Sequence, residues 1–182
     1  MTSTEILKHE HKIILLVLES AEHEVRSIQD TGKVHADRIE KMLDFFRNFA
    51  DRCHHAKEEN LLFMKMRKGI LGESGPIAVM LMEHAEGRKR LKAVSDALLQ
   101  AREGDASAIG IVKDNLSAYI ELLRNHIKKE DNILYPMADQ LFTFEDQKSL
   151  SEAFDKVEAE EMGAGVHEKY HQLAQELISN KS

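Results

Sequence analysis

Residues 112–137 read VKDNLSAYIELLRNHIKKEDNILYPM, and within this stretch Val112, Leu116, Tyr119, Leu123, His126, Glu130, Ile133 and Met137 recur in steps of three and four. That period belongs to one face of an α-helix and to no strand. The face is apolar at first and then carries His126 and Glu130, one turn apart, so that an imidazole and a carboxylate lie about 6 Å from one another on the same side. The tetrad His-x-x-x-Glu occurs a second time as His54 and Glu58, with both residues 72 positions before their counterparts. Two such helices facing each other could hold two metal ions.

Similar stripes run through most of the chain. Leu7, His11, Ile14, Leu18, Ala21, Val25 and Ile28 mark a first helix from Thr4 to about Gln29, ended by Asp30-Thr31-Gly32. Leu43, Phe46, Ala50, His54, Glu58 and Leu61 mark a second, from about His35 to Arg67, followed by a loop of Gly69, Gly72, Ser74 and Gly75. Pro76 suits the first turn of a third helix, whose stripe is Ile77, Leu81, His84, Gly87, Leu91, Val94 and Leu98. The fold class is therefore all-α. Short connections favour an up-down-up-down four-helix bundle over residues 1–140. Residues 141–182 read as a C-terminal helical extension packed on it, with a fifth helix to Glu161, a break at Met162-Gly163-Ala164-Gly165, and a sixth from Val166 to Ile178.

Composition excludes several classes. Twenty-five Lys+Arg against 32 Asp+Glu give a net charge of −7 over 182 residues, without a basic cluster, which argues against nucleic acid. The longest apolar run, Ile13 to Leu18, is too short to span a membrane, and the polar start lacks a signal-peptide layout. A cytoplasmic protein is expected, and the single cysteine, Cys53, fits a reducing compartment as a packed thiol. No nucleotide loop or nucleophile triad is present.

Of the ten histidines, His11, His54, His84 and His126 fall on inward faces, with Glu58 and Glu130 one turn beyond two of them. Two carboxylates inside one bundle need positive charge nearby, which metal ions supply. Glu10-His11 followed by His54 and Glu58 repeats as Glu83-His84 followed by His126 and Glu130, at offsets of 73, 72 and 72. A single inward histidine is more often a hydrogen-bonded core residue, and it is the repeat of the whole set that favours a metal site. His9 and His55 fall toward polar sides, His55 beside Asp51, Arg52 and Glu59, and are read as surface or supporting groups; His23 and His35 are read as solvated. Met64 and Met66 are read as core filler. His167 and His171 form an i, i+4 pair. Their helix is read as amphipathic, packing through Val166, Tyr170, Leu173 and Leu177, with His167 a candidate supplementary ligand.

The order His, His-x-x-x-Glu, His, His-x-x-x-Glu over residues 4–137, with the words HHAKEENLLF (54–63) and HIKKEDNILYP (126–136), resembles the hemerythrin-like or HHE cation-binding family. The resemblance implies a cofactor of two iron ions, bridged by the carboxylates of Glu58 and Glu130 and by oxo or hydroxo, with His11, His54, His84 and His126 completing the metal ligands. Oxygen-carrying hemerythrins place a second histidine one turn after the third-helix ligand, where this chain has Arg88, and an aspartate where it has Glu130. A more symmetric site with open metal positions is then expected, favouring reaction with oxygen, peroxide or nitric oxide over simple carriage. A regulatory iron or oxygen sensor using the C-terminal helices is the alternative; peroxide- or oxygen-consuming activity is a third reading, and a metal-free helical interaction module remains. Imidazole and carboxylate without thiolate suit iron, manganese or zinc. Paired Glu-x-x-His motifs of the ferritin-like class are absent from residues 1–140.

Overall fold

A computed structural model describes residues 1–67, 75–163 and 165–179. The expected loop residues Gly69, Gly72 and Ser74, and Ala164 of the second break, lie outside the described residues. The described chain is all-helical: α1 (Ser3–Thr31), α2 (36–67), α3 (Pro76–Arg102), α4 (106–141), α5 (144–162) and α6 (Val166–Ser179).

Local chemistry sets the ends. Thr2 and Glu5 form a reciprocal capping box at the start of α1, satisfying two otherwise orphaned N–H groups, and Thr143 and Asp146 do the same for α5. Gly32 ends α1 with φ +69°, a left-handed conformation that costs a residue without a Cβ little. Pro76 occupies the first turn of α3, and the Asp105 side chain accepts from Ala108 N–H at the start of α4.

Two apolar clusters share the interior, and the metal-ligand candidates lie between them. One gathers Leu7, Leu62, Phe63, Met80 and Leu134; the other gathers Ile14, Ala50, Leu91 and Leu123. Along α1 the first cluster precedes the second, along α2 the order reverses, and it reverses again in α3 and in α4. The directions of successive helices therefore alternate, as an up-down-up-down four-helix bundle requires. The C-terminal helices join both clusters, Leu150 and Phe154 of α5 in the first and Tyr170, Ala174 and Leu177 of α6 in the second. Ser20 and Arg38 donate to the Leu177 carbonyl and fix the end of α6.

Helices α2 and α4 are not uniform. Over Phe46–His55, Glu58–Leu62 and Glu130–Leu134 the backbone forms wide π-type turns. Each such turn closes i to i+5, adding about one residue to the α spacing. On α2 the buried face consequently recurs as neighbours: Phe45 and Phe46, Phe49 and Ala50, Cys53 with His54 and His55, Lys57 and Glu58, Leu62 and Phe63. Several expectations are corrected here. His55, expected on the polar side, is buried. Leu62 and Phe63 occupy the interior where Leu61 was expected, and Leu134 does so in place of Ile133, which is 53% exposed. Met66 is core, whereas Met64 is exposed. Leu81, on α3, is half-buried and Met80 takes the inward place.

Candidate metal centre

All six predicted ligands come together: His11, His54, Glu58, His84, His126 and Glu130 are each no more than 2% exposed. Their burial follows from the helical steps, since each replaces an apolar residue on an inward face. Glu130 has Oε2 3.2 Å from His11 Nε2 and Oε1 3.0 Å from His126 Nε2. Glu58 Oε2 lies 3.8 Å from His54 Nε2 and 3.4 Å from His84 Nε2. Each carboxylate thus spans imidazoles from both halves of the repeat. The two halves match closely: the ring centroids of His11 and His54 are 4.6 Å apart at 57°, and those of His84 and His126 are 4.7 Å apart at 59°.

The outward nitrogens are held just as regularly. The Nδ1 of His11 meets Asp131 at 2.8 Å, that of His54 meets Glu10 at 2.8 Å, that of His84 meets Glu59 at 2.7 Å and that of His126 meets Glu83 at 2.8 Å. A carboxylate on Nδ1 fixes the tautomer and ring plane and leaves the Nε2 lone pair facing inward, the arrangement that supports metal-bound histidine. Sequence reasoning assigned these four acids no role. Their signal was available, because each is the chain neighbour of a candidate ligand: Glu10 and Glu83 precede His11 and His84, and Glu59 and Asp131 follow Glu58 and Glu130.

Inside this frame, polar atoms converge without hydrogen-bond partners. Among the described residues, His54 Nε2, His55 Nε2, Glu58 Oε2 and both carboxylate oxygens of Glu130 are buried and unpaired; the close His–Glu130 contacts lack hydrogen-bond alignment. Such orphaned groups are costly in an apolar interior and fit a cation that all of them could bind. Two metal-sized groups emerge, sharing Glu58: His11, His54, Glu58 and Glu130 form one, and His55, His84, His126 and Glu58 form the other. The residues present therefore suit metal binding.

Electrostatics without metal point the same way. Burial alone would lower the His11 and His126 pKa values, but the carboxylates of Asp131, Glu130 and Glu83 overcome it, raising His11 to about 9 and His126 to about 10. His84 is raised by Glu58 and Glu59 against the same burial cost. Burial pushes Glu58 and Glu130 up, and surrounding imidazolium charge brings both below the ordinary carboxylate range. His55 is driven well below its ordinary value, first by burial and then by the neighbouring His84. Tyr135, in the last turns of α4, donates to Glu58 Oε1 at 2.6 Å and stacks on His11 with centroids 5.4 Å apart; burial and Glu130 hold its phenol neutral.

Histidines, acids and metal-sized spacing on four alternating helices are the pattern of one cation-binding family, and the model of the hemerythrin HHE cation-binding domain matches residues 2–138. The chain belongs to the hemerythrin HHE cation-binding family. Uncharacterized proteins of Mycobacterium bovis and of two Mycobacterium tuberculosis strains are 23% identical to it over 164 residues, covering 90% of this chain. The match covers 64% of the length of these curated relatives. No solved structure matches. Among the described residues no helix is long and apolar enough to cross a membrane.

Other sequence-level candidates lie outside the two metal-sized groups of this HHE centre. His167 is 30% exposed and reaches Glu10 Oε1 at 3.7 Å, behind His54 rather than beside it, while Tyr170 and Leu177 of its helix are buried. His9 and His35 are exposed. Cys53 is buried, and desolvation pushes its thiol up to about 12, as a packed, unreactive group requires. Glu10, Cys53 and Glu158 are close enough for a cation. Lys57 supplies it: its ammonium, fully buried, contacts both Glu10 and Glu158 at 2.5 Å.

Proposed function

We propose that this chain is a di-iron protein, an up-down-up-down four-helix bundle that binds or reacts with oxygen, peroxide or nitric oxide between its two apolar clusters. The carrying observation is the pair of metal-sized groups that share Glu58, with Glu130 in reach of both His11 and His126. Glu58 and Glu130, with His11, His54, His84 and His126, would hold the ions. Bound there, iron would supply reducing electrons and open coordination positions for a small ligand.

The chain's own residues do the rest. Glu10, Glu59, Glu83 and Asp131 accept the Nδ1 protons and hold the imidazoles in position. Leu7, Phe63 and Leu134 on one side and Ala50 and Leu123 on the other exclude water. Phe46 and Leu123 are buried nearby, and Leu61 and Leu81 are half-buried. The Tyr135 hydroxyl keeps a neutral proton donor against Glu58. A small cleft of about 10 Å³, room for about one water molecule, is lined by Asp51, Glu83, Gly87, Arg88 and Tyr119 together with His55, His84 and His126.

Metal analysis of the purified protein, with anaerobic spectra before and after oxygen, tests this reading. Two irons per chain and a new visible absorption on oxygen exposure are expected. Stoichiometric zinc, or no metal, would defeat it.

One observation favours a second reading, a sensor. His54 connects through Glu10 and Lys57 to Glu158 of α5, and through Glu10 to His167 of α6, so the ligand shell touches the C-terminal helices directly. Metal loading would then change protease cleavage between residues 141 and 182; equal cleavage with and without iron rules the sensor out.

A further inference from the structure

The HHE pattern of oxygen carriers would put a histidine where this chain has Arg88, and the structure shows another imidazole on the same side of the site. We propose that His55 is a fifth imidazole ligand, belonging to only one of the two metal positions, and that Arg88 is its positioning residue. The inference rests on the di-metal reading above and assigns each position a different ligand set.

Three observations carry it. First, His55 is held as the other ligands are. Its Nδ1 lies 3.3 Å from Asp51 Oδ1, and its Nε2 is buried and unpartnered. Second, it is placed with one half only. Its ring stacks on His84, centroids 3.8 Å apart and 17° from parallel, and lies 5.8 Å from His126, so that one nitrogen joins His84, His126 and Glu58 in a metal-sized group. Seventy-two residues on, the corresponding place in the repeat is Ile127, a buried apolar residue that cannot ligate. Third, Arg88 organises this half from α3. Its Nε donates to Asp51 Oδ1 at 2.8 Å and its Nη2 to Glu59 Oε1 at 2.7 Å. Those two acids orient His55 and His84 respectively. A planar guanidinium can hold two carboxylates at once, which an ammonium does poorly.

The ligand has thus moved from α3 to α2. Wide turns through residues 46–55 bring His55 inward beside His54, and the residue at 88 turns from ligand to clamp. One metal position receives His11, His54 and both carboxylates. The other receives His55, His84, His126 and Glu58, with Glu130 3.0 Å from His126.

Anaerobic titration of the metal-free full chain with Co(II), followed by its visible d–d bands and by metal content after desalting, tests this. The wild type should bind two ions. His55→Leu, which copies the apolar character of position 127, should weaken one ion at least tenfold and leave the other unchanged; Arg88→Gln should weaken the same ion by about tenfold, the lower end of outer-shell effects. His55→Gln preserves size and polarity and supplies the same reading if His55→Leu does not fold. Two unchanged affinities in either folded His55 variant would overturn the proposal, as would equal weakening of both ions. A wild type that fails to bind two ions would instead overturn the di-metal reading.

Discussion

The two halves of the metal layer share one framework and differ in what closes them. Glu10 with Lys57 and Glu83 with Lys129 are the same acid–lysine pair, the lysines 72 residues apart, each acid holding a histidine of the metal-sized groups. Lys57 is fully buried and sealed by Glu158, with its ammonium 5.7 Å from the Phe154 ring centre. Lys129 is 37% exposed, beside the cleft to which Glu83 contributes. Tyr135 stacks on His11 where, 72 residues earlier, Phe63 stacks on His84 at 6.1 Å. A repeated ligand frame therefore becomes unequal through a few neighbours: a hydroxyl and a helical cover on one side, an extra imidazole and an opening on the other.

The largest break of this comparison should come from the residue both halves share. Glu58→Ala removes a donor from each metal-sized group, and both ions should be lost on desalting, along with the thermal stabilisation that metal confers; retention of one ion would show that Glu58 belongs to one half only.

Next is the contrast between the paired acids. Glu10→Ala strips a partner from a buried ammonium and should destabilise the metal-free protein by about 3–5 kcal/mol, whereas Glu83→Ala, beside an exposed lysine, should cost less, about 1.5–3 kcal/mol from its bond to His126. Denaturant midpoints check this, and equal costs would erase the sealed-versus-open distinction.

The pH response of the metal-free protein samples both halves together. His11 and His126 have folded pKa values of about 9 and about 10, above the ordinary 6.5, so their contribution is complete below pH 6.5 and disappears as pH rises through 9 to 10. Stability should fall across that window by an amount on the order of 3 kcal/mol per group, read as a drop in the thermal midpoint. Glu58 and Glu130 act oppositely: their lowered values add stability above pH 4.5 that is lost on acidification.

Smaller effects sharpen the picture. Tyr135→Phe deletes the hydrogen bond to Glu58 and should cost about 1.5–3 kcal/mol in denaturant titration, with the fold intact. Gly87→Ala places a Cβ 3.3 Å from the Tyr119 ring at the cleft; stability should change by less than about 1 kcal/mol while the rate of azide entry into the metal-loaded protein falls.

Helical period is a local property, and so the chain alone determined an all-α fold, the helix ends at Gly32 and Pro76, and six inward-facing candidate ligands spaced by a repeat of 72 or 73 residues. Those features need only 3.6 residues per turn and the cost of burying unpaired charge. The tertiary structure decided the rest. Wide turns in α2 brought His55 in and those in α4 sent Ile133 out, by shifts no ideal period predicts. Only packed neighbours could show that Glu10, Glu59, Glu83 and Asp131 each face a histidine from another helix, or that Glu158 seals Lys57. A residue's face follows from its own helix; its partner, and hence its chemistry, depends on which helix lies opposite.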